Sequence, residues 1–306
     1  MTASDTPDVY RCWVCGGPSH PFRRSTITRE INDSSVRITD SNYGETAALS
    51  ECSACGFRFA APVPHPDILR LYCEMNDQPY QDSADARRLQ MRVLLDLIAA
   101  VRPQARTLLD VGAGIGLMVS EARSRGLDAQ GIEPSEWCVN IAPVTTGVDL
   151  LQGTTREWVG RLPQYDIVTL VDVIEHTTDP VGMLRDASAL LKPGGALLVV
   201  TPDVGSLAAR LMGRWWWHYR IAHVGYFNRV SMQQALREVG LRLELDTFAK
   251  WQFPASYLAE RLGRYLPVFP FTSVFQALAR SPRLQRTHVG VNLHDSRAFI
   301  ASPNHV

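Results

Sequence analysis

Between residues 107 and 202 short apolar runs alternate with stretches of helical periodicity: Thr107–Ala113, Ala129–Glu133, Asp149–Gly153, Ile167–Val173 and Ala196–Pro202, with helical spacing between them. Strands separated by helices cannot pair as hairpins, so this alternation implies a mostly parallel sheet wound with helices on both faces. Such sheets bind ligands at the carboxyl ends of their strands, where the strand order reverses. The first strand-to-helix turn is therefore the first place to look. It reads Leu-Asp-Val-Gly-Ala-Gly-Ile-Gly over residues 109–116. Its alternate glycines permit a sharp bend and close approach to a ligand, and the following helix presents its N-terminus. A glycine-rich turn alone suits a dinucleotide equally well.

Two carboxylates narrow the choice. Asp110 immediately precedes the turn, where it would repel a pyrophosphate but orient a cationic ligand. Glu133 ends the second strand, just before Pro134, where a carboxylate can accept hydrogen bonds from both ribose hydroxyls. With these residues the chain resembles the class I S-adenosylmethionine (SAM)-dependent methyltransferases, whose signature is an acidic residue, Gly-x-Gly-x-Gly, and an acidic residue at the next strand end. Asp166 to His176 resembles the fourth strand and following loop of the small-molecule branch, and Leu191 to Gly195 the turn before strand five. The resemblance implies an α/β, doubly wound, mostly parallel seven-stranded Rossmann-like sheet with an antiparallel last strand. It implies SAM as cofactor, held by Asp110, Gly112, Ala113, Gly114, Gly116, Glu133, Pro134, Thr154, Asp172 and Val173. Thr154 offers a hydroxyl where family members often present a carboxylate to the adenine.

Ahead of this region stand two cysteine pairs, Cys12-x-x-Cys15 and Cys52-x-x-Cys55, each followed by glycine, Gly16 and Gly56. Four thiolates in two such turns match a tetrahedral Zn²⁺ site, and the glycines let backbone amides approach the sulfurs. The alternatives are disulfides or a redox pair. Disulfides rarely persist in a reducing compartment, and neither pair opens a helix after a strand. Because an all-cysteine set leaves no open coordination position, the metal is expected to be structural. Cys73 and Cys138 stand alone and read as buried small hydrophobes. The segment Ala61 to Pro66 is too proline-rich to be helical, and Ala86 to Val101 carries the spacing of an amphipathic helix. A paired-cysteine ribbon, a proline-rich linker, a tyrosine-rich stretch and this catalytic domain also occur together in bacterial methyltransferases, many of them associated with glycan and specialised-metabolite synthesis. The resemblance thus spans roughly residues 1 to 302. The implied organisation is a zinc ribbon over 1–62, a linker with leading helices over 63–104, and a methyltransferase domain over 105–306.

Composition bounds the rest. With 31 Lys plus Arg against 31 Asp plus Glu, the chain lacks the basic excess of a protein that grips phosphate backbones. The opening residues show neither a basic run nor an apolar stretch, and no segment has the length of an apolar membrane span, so the expected address is the cytoplasm.

Methyl transfer from a sulfonium needs mainly alignment of the acceptor, and a hydroxyl acceptor also needs a base. His176 follows the fourth strand. His223 lies in His-Val-Gly-Tyr-Phe-Asn, and the resemblance implies that a His-x-x-Tyr-Phe segment closes over the acceptor, with Tyr226 assisting. The run Trp215-Trp216-Trp217 cannot face one core throughout, so at least one indole is expected at a pocket or interface. Leu241 to Lys250 and Val289 to Ala301 are expected as the last two strands. The intervening insertion, about 251–286, carries Tyr257, Leu258, Leu262, Leu266 and the apolar run 268–275, which suggest a lid, a homodimer contact or a membrane-surface contact.

The expected function is SAM-dependent methylation, on oxygen ahead of carbon or nitrogen, of a small molecule, sugar or specialised metabolite. The rivals are a zinc-ribbon rRNA base methyltransferase, disfavoured by the neutral charge; a non-catalytic protein that binds SAM and zinc; and a nicotinamide-dependent oxidoreductase, disfavoured by Asp110.

Overall fold

The computed structural model describes residues 10–39, 42–65, 68–265, 271–281, 283–284 and 287–304. The chain begins with strands β1 (Ser19–Arg23), β2 (Leu49–Cys52) and β3 (Arg58–Ala60), followed by helices α1 (Ile68–Cys73), α2 (Gln78–Asp82) and α3 (Ala84–Val101). The alternating region supplies β4 (Thr107–Val111), α4 (Leu117–Ser124), β5 (Asp128–Glu133), α5 (Glu136–Thr146), β6 (Leu151–Gln152), α6 (Thr155–Trp158), β7 (Tyr165–Val171), α7 (Pro180–Ala189) and β8 (Leu191–Pro202). Then come α8 (Leu207–Met212), β9 (Gly225–Tyr226), α9 (Arg229–Glu238), β10 (Leu241–Phe248), β11 (Trp251–Pro254), α10 (Ala255–Tyr265), α11 (Phe271–Ala279), β12 (His288–Val291) and β13 (Ser296–Pro303).

The central sheet has seven strands in the order β10-β13-β8-β7-β4-β5-β6, with β13 antiparallel to both neighbours and the other pairs parallel. The expected fold class is thus the observed one. The order reverses between β4 and β7, so the carboxyl ends of these two strands frame the crevice. Leu108, Leu109, Ile167, Val168, Leu170 and Leu197 to Val200 are almost completely buried, as central strands covered by helices on both faces must be. Helix α3 lays Leu94, Leu95 and Ile98 on one of these faces. It is tied to α4 through Glu121, which is nearly buried and meets Arg88 at 3.3 Å and Arg92 at 2.7 Å.

A second sheet, β1-β2-β3-β9, joins the N-terminal segment to the loop before α9: β3 pairs with β9, Arg58 opposite Tyr226 and Phe59 opposite Gly225. Phe57 and Phe59 are fully buried, Phe57 packs on Phe227 at 4.7 Å, and Cys12, Val14 and Cys55 share a core with residues of β4, β7 and β8. The Asn228 side chain, which caps α9, donates to the carbonyl of Gly56 at 2.8 Å. The cysteine-bearing segment is therefore built into the wall of the main sheet's own layer.

Two details depart from the sequence reading. The stretch expected as one final strand is split: β12 pairs with β11 in a separate two-stranded ribbon, and β13 begins only at Ser296. The break falls at His294, whose φ is +54°, next to buried Asp295. Residues 191–195, expected as a turn, are the irregular start of β8, where the register with β7 shifts. Around the insertion, β11 and β12 form the base and α10 and α11 the helical pair; Leu266 and residues 268–270 lie outside the described residues.

Candidate active site and cysteine cluster

A cavity of about 490 Å³ opens at the reversal point, lined on one side by Asp110, Gly112, Ala113, Gly114, Pro134, Thr154, Asp172 and Val173. Gly112 and Gly114 have φ of +71° and +53°, a region costly to side chains, and a Cβ on Gly112 would meet Val173 at 2.5 Å. Gly116, with φ +79°, starts α4 and lies behind the cavity, against Thr146 and Val148. Its bare Cα serves packing and not the lining.

Asp110 is buried at the end of β4, and its Oδ1 accepts a 2.6 Å hydrogen bond from Thr169 Oγ1. Burial pushes its carboxyl up to about 7, with Thr169 pulling the other way. Glu133 is fully buried and does not line the cavity. Its two oxygens accept from the amides of Gly114 at 2.7 Å and Ser135 at 2.8 Å, and the Tyr72 hydroxyl donates to it as well. Burial raises this carboxyl too, to about 7. Glu133 thus clamps the glycine turn to the start of α5, a role the strand-end reading did not foresee. Thr154 lines the cavity, but its amide and hydroxyl both donate to Glu157 in a capping box. Asp172 stands at φ +54° just past β7, and its buried Oδ1 has no partner among the described residues. Burial lifts its carboxyl to about 6, opposed by His218, Arg87 and Arg220.

The opposite side of the cavity is assembled from distant segments. Val36, Ile38, Ile68 and Tyr72 come from the N-terminal region, and Glu175, His176, His218, Arg220, Ala222 and His223 from the loops after β7 and α8. His176 Nδ1 lies 2.9 Å from the Ala222 carbonyl, so that nitrogen carries the proton, and burial lowers the imidazole to about 4. His223 packs edge-on to His176 at 4.8 Å; burial, His176 and Arg220 push it well below the usual histidine range. Glu175 is buried beside them, accepts from Thr201 Oγ1 at 3.0 Å, and is held well above the carboxylate range by burial and by Asp172. The result is a compact group of buried polar side chains in which burial disfavours charge.

Tyr226, expected to assist there, lies outside the lining: it packs beside Tyr219 at 5.1 Å, and its hydroxyl donates to the Arg220 carbonyl at 3.4 Å. Pairing of β9 with β3 turns its ring away from the cavity and into the second sheet's core. In the tryptophan run, Trp215 is exposed and Trp216 fully buried; none of the three indoles lines the cavity, but the next residue, His218, does. Sequence reading missed His218, Arg220, Tyr72, Tyr80 and Arg87. Of these only the tyrosines left a trace, as a tyrosine-rich stretch.

The four predicted metal-ligand cysteines come together. Their sulfurs all lie within 4.8 Å of one another, with Cys15 and Cys52 at 3.4 Å and Cys12 and Cys55 at 3.7 Å. The two turns are alike: the amides of Gly16 and Gly56 donate to the carbonyls of Cys12 and Cys52, and those of Val14 and Cys55 approach sulfurs at 3.4 and 3.5 Å. The glycines therefore bond carbonyls and shape the turns, while other amides face the thiols. Gly16 and Gly56 have φ of +67° and +68°, which completes the matching of the two knuckles.

Sheet order, reversal point and glycine turn define the class as that of the SAM-dependent class I methyltransferases. A family model described as "Methyltransferase domain" matches residues 84–245, and the chain belongs to that family. Among curated proteins it is similar to the ubiquinone biosynthesis O-methyltransferase of Marinobacter nauticus, 37% identical over 101 residues that make up 30% of this chain and 42% of that one. The enzyme of the same name from Pseudomonas paraeruginosa is 32% identical over 102 residues, 31% of this chain and 44% of that one. The chain thus spans less than half the length of these relatives. A crystal structure of a SAM-dependent methyltransferase from Archaeoglobus fulgidus shares the fold, with a TM-score of 0.50 at 16% identity, over 74% of this chain and 99% of that one.

Proposed function

We propose that this protein transfers a methyl group from SAM to a hydroxyl of a small molecule, sugar or specialised metabolite. The observation that carries the reading is the continuity of one cavity from Asp110 and the glycine turn to the polar group around His176 and His223. Its volume of about 490 Å³ falls within the ~300–1,000 Å³ typical of small-ligand sites. The relatives named as O-methyltransferases support oxygen as the accepting atom.

The residues present fit SAM. Asp110 and the unpartnered Oδ1 of Asp172 offer negative charge to a cationic ligand, and Gly112, Ala113 and Gly114 leave room where side chains would intrude. Pro134, Thr154 and Val173 complete the wall. Glu133 would accept from a ribose hydroxyl in place of the Tyr72 hydroxyl that it now binds. When bound, SAM supplies a methyl already activated on a sulfonium. The chain's own task is to hold the acceptor oxygen in line, exclude water and remove one proton. Val36, Ile38 and Ile68 give the acceptor an apolar surround.

Cys12, Cys15, Cys52 and Cys55 would hold a structural Zn²⁺, a reading that the sulfur cluster and two matched knuckles support. The four free thiols suit a reducing compartment such as the cytoplasm. Among the described residues no helix is long and apolar enough to cross a membrane. The insertion, with Val274 and Leu278 exposed, remains the proposed site of a homodimer or membrane-surface contact.

Transfer of tritiated methyl from SAM to a panel of phenols, sugars and total RNA tests the reading. Label on hydroxylated small molecules supports it; label on RNA alone replaces it with the base-methylation alternative; calorimetry without SAM or S-adenosylhomocysteine binding overturns both.

A further inference from the structure

Besides His176 and His223, a third imidazole, that of His218, lines the same cavity. His218 is half-buried, and its Nε2 lies 3.5 Å from Oδ2 of Asp295, whose side chain is 3% exposed. Asp295 is fixed from two sides: its carbonyl accepts from the Asp203 amide at 2.8 Å, and the same Oδ2 accepts from Trp216 Nε1 at 3.1 Å. The Trp216 ring is fully buried and stands edge-on to His218 at 4.9 Å. One indole thus bonds the carboxylate and packs on the imidazole, so both are held in a set orientation. A carboxylate on one imidazole nitrogen fixes the tautomer and stabilises the cation formed when the other nitrogen takes a proton. The other two imidazoles bond backbone carbonyls, His176 that of Ala222 and His223 that of His218, and the carboxyl within 4.8 Å of both, Glu175, is held well above the carboxylate range by burial and by Asp172. The Nδ1–H of His176 is committed to the Ala222 carbonyl and burial holds its imidazole near 4, while burial, His176 and Arg220 push His223 well below the usual histidine range. At neutral pH such imidazoles accept a proton from a hydroxyl poorly.

We propose that His218, oriented by Asp295, is the general base for the acceptor hydroxyl, with His176 and His223 as neutral groups that position that hydroxyl. The proposal rests on the methyl-transfer reading. In the step, the acceptor oxygen gives its proton to Nδ1 of His218; its electron pair forms the bond to the methyl carbon, and the carbon–sulfur pair leaves with sulfur. Reactants and products each carry one positive charge, on the sulfonium before and on the imidazolium after. The charged or titratable groups facing His218 are Asp295, Asp172 across the cavity, His223 stacked at 6.0 Å, and Arg220.

The full chain carrying His218→Gln, Asp295→Asn or His176→Gln is to be compared with wild type, using catechol as the acceptor probe. Expected are unchanged S-adenosylhomocysteine affinity throughout, a kcat loss of about 100-fold or more in His218→Gln, and loss of its limb from the pH profile. His176→Gln should act mainly on KM. Nitrogen-15 NMR of the imidazoles gives a readout independent of turnover: the Nε2–H tautomer at His218 in wild type, shifted toward Nδ1–H in Asp295→Asn. Wild-type kcat and pH profile in His218→Gln, or an Nδ1–H tautomer at His218 in wild type, would overturn the proposal. Absence of SAM binding by wild type would sink the methyl-transfer reading instead, and the tautomer measurement would still decide the dyad.

Discussion

The two sides of the cavity are made in different ways. The glycine-turn side is a set of short segments at strand ends, 110–114, 134, 153–155 and 171–173, each delivered by its own parallel strand of one sheet. The histidine side gathers Val36 and Ile38, Ile68, His176 and 218–223, with Asp295 behind them, and it is held by the β3–β9 pairing and by Arg220 bonds to the carbonyls of Arg37 and Ile38. One side depends on local turn chemistry and the other on long-range closure. A perturbation should therefore be able to damage either alone.

The largest expected effect lies on the closure side. Cys55→Ser, or prolonged chelation, should reduce zinc from about one per chain to near zero, because metal binding and folding of such modules are one event. Hydrogen exchange should then rise across 19–60 and 218–228 while the 107–133 region stays protected. Metal analysis with exchange mass spectrometry checks this, and equal loss of protection in both regions would show that the two sides are not independent.

On the other side, Asp110→Asn should leave the melting temperature nearly unchanged and weaken SAM roughly 10- to 100-fold, as expected from losing a charged contact worth about 1.5–3 kcal/mol. Glu133→Ala should do more. It leaves the Gly114 and Ser135 amides without their acceptor, so stability should fall by about 1–3 kcal/mol as well as affinity. Calorimetry and thermal melts separate the two outcomes; a Glu133→Ala chain of wild-type stability would refute the clamp.

Acidity gives a further test. Asp110 and Glu133 ionise near 7 when folded but near 4 in an unfolded chain, so the folded state holds extra protons between those values. Their contribution to the stability of the ligand-free chain therefore declines as pH rises from about 4 to about 7. A cationic ligand prefers the ionised Asp110, so SAM affinity should move the opposite way, falling by up to about tenfold per pH unit below 7. Calorimetric titrations between pH 5.5 and 8.5 measure both trends, and a flat affinity would show that Asp110 does not face the sulfonium. The smallest effect belongs to Tyr72→Phe: freeing one Glu133 lone pair should tighten SAM by no more than about tenfold, in line with about 0.5–1.5 kcal/mol for one neutral hydrogen bond.

Legibility in the sequence follows the same division. The glycine turn, Asp110 and the four cysteines could be read because their meaning lies within a few neighbouring residues, and the structure gathers each group as spaced. Gly116 and Tyr226 also carried local signals, but packing behind α4 and in the second sheet sets where they point. His218 gave no signal beyond adjacency to three tryptophans. Its partner Asp295 sits in a break that strand periodicity hid, since an apolar run does not reveal where one ribbon ends and another sheet begins.

By itself the sequence determined the strand-helix alternation, hence the parallel sheet, its reversal point and the bare turn beside Asp110, because backbone conformation there is set by residue type over a few positions. Only the tertiary structure decided which imidazole meets a carboxylate and which strand completes the cysteine-bearing sheet. Those contacts join segments far apart in the chain, and their geometry is fixed by burial of Trp216 against Asp295 and of Phe57 against Phe227 rather than by any local pattern.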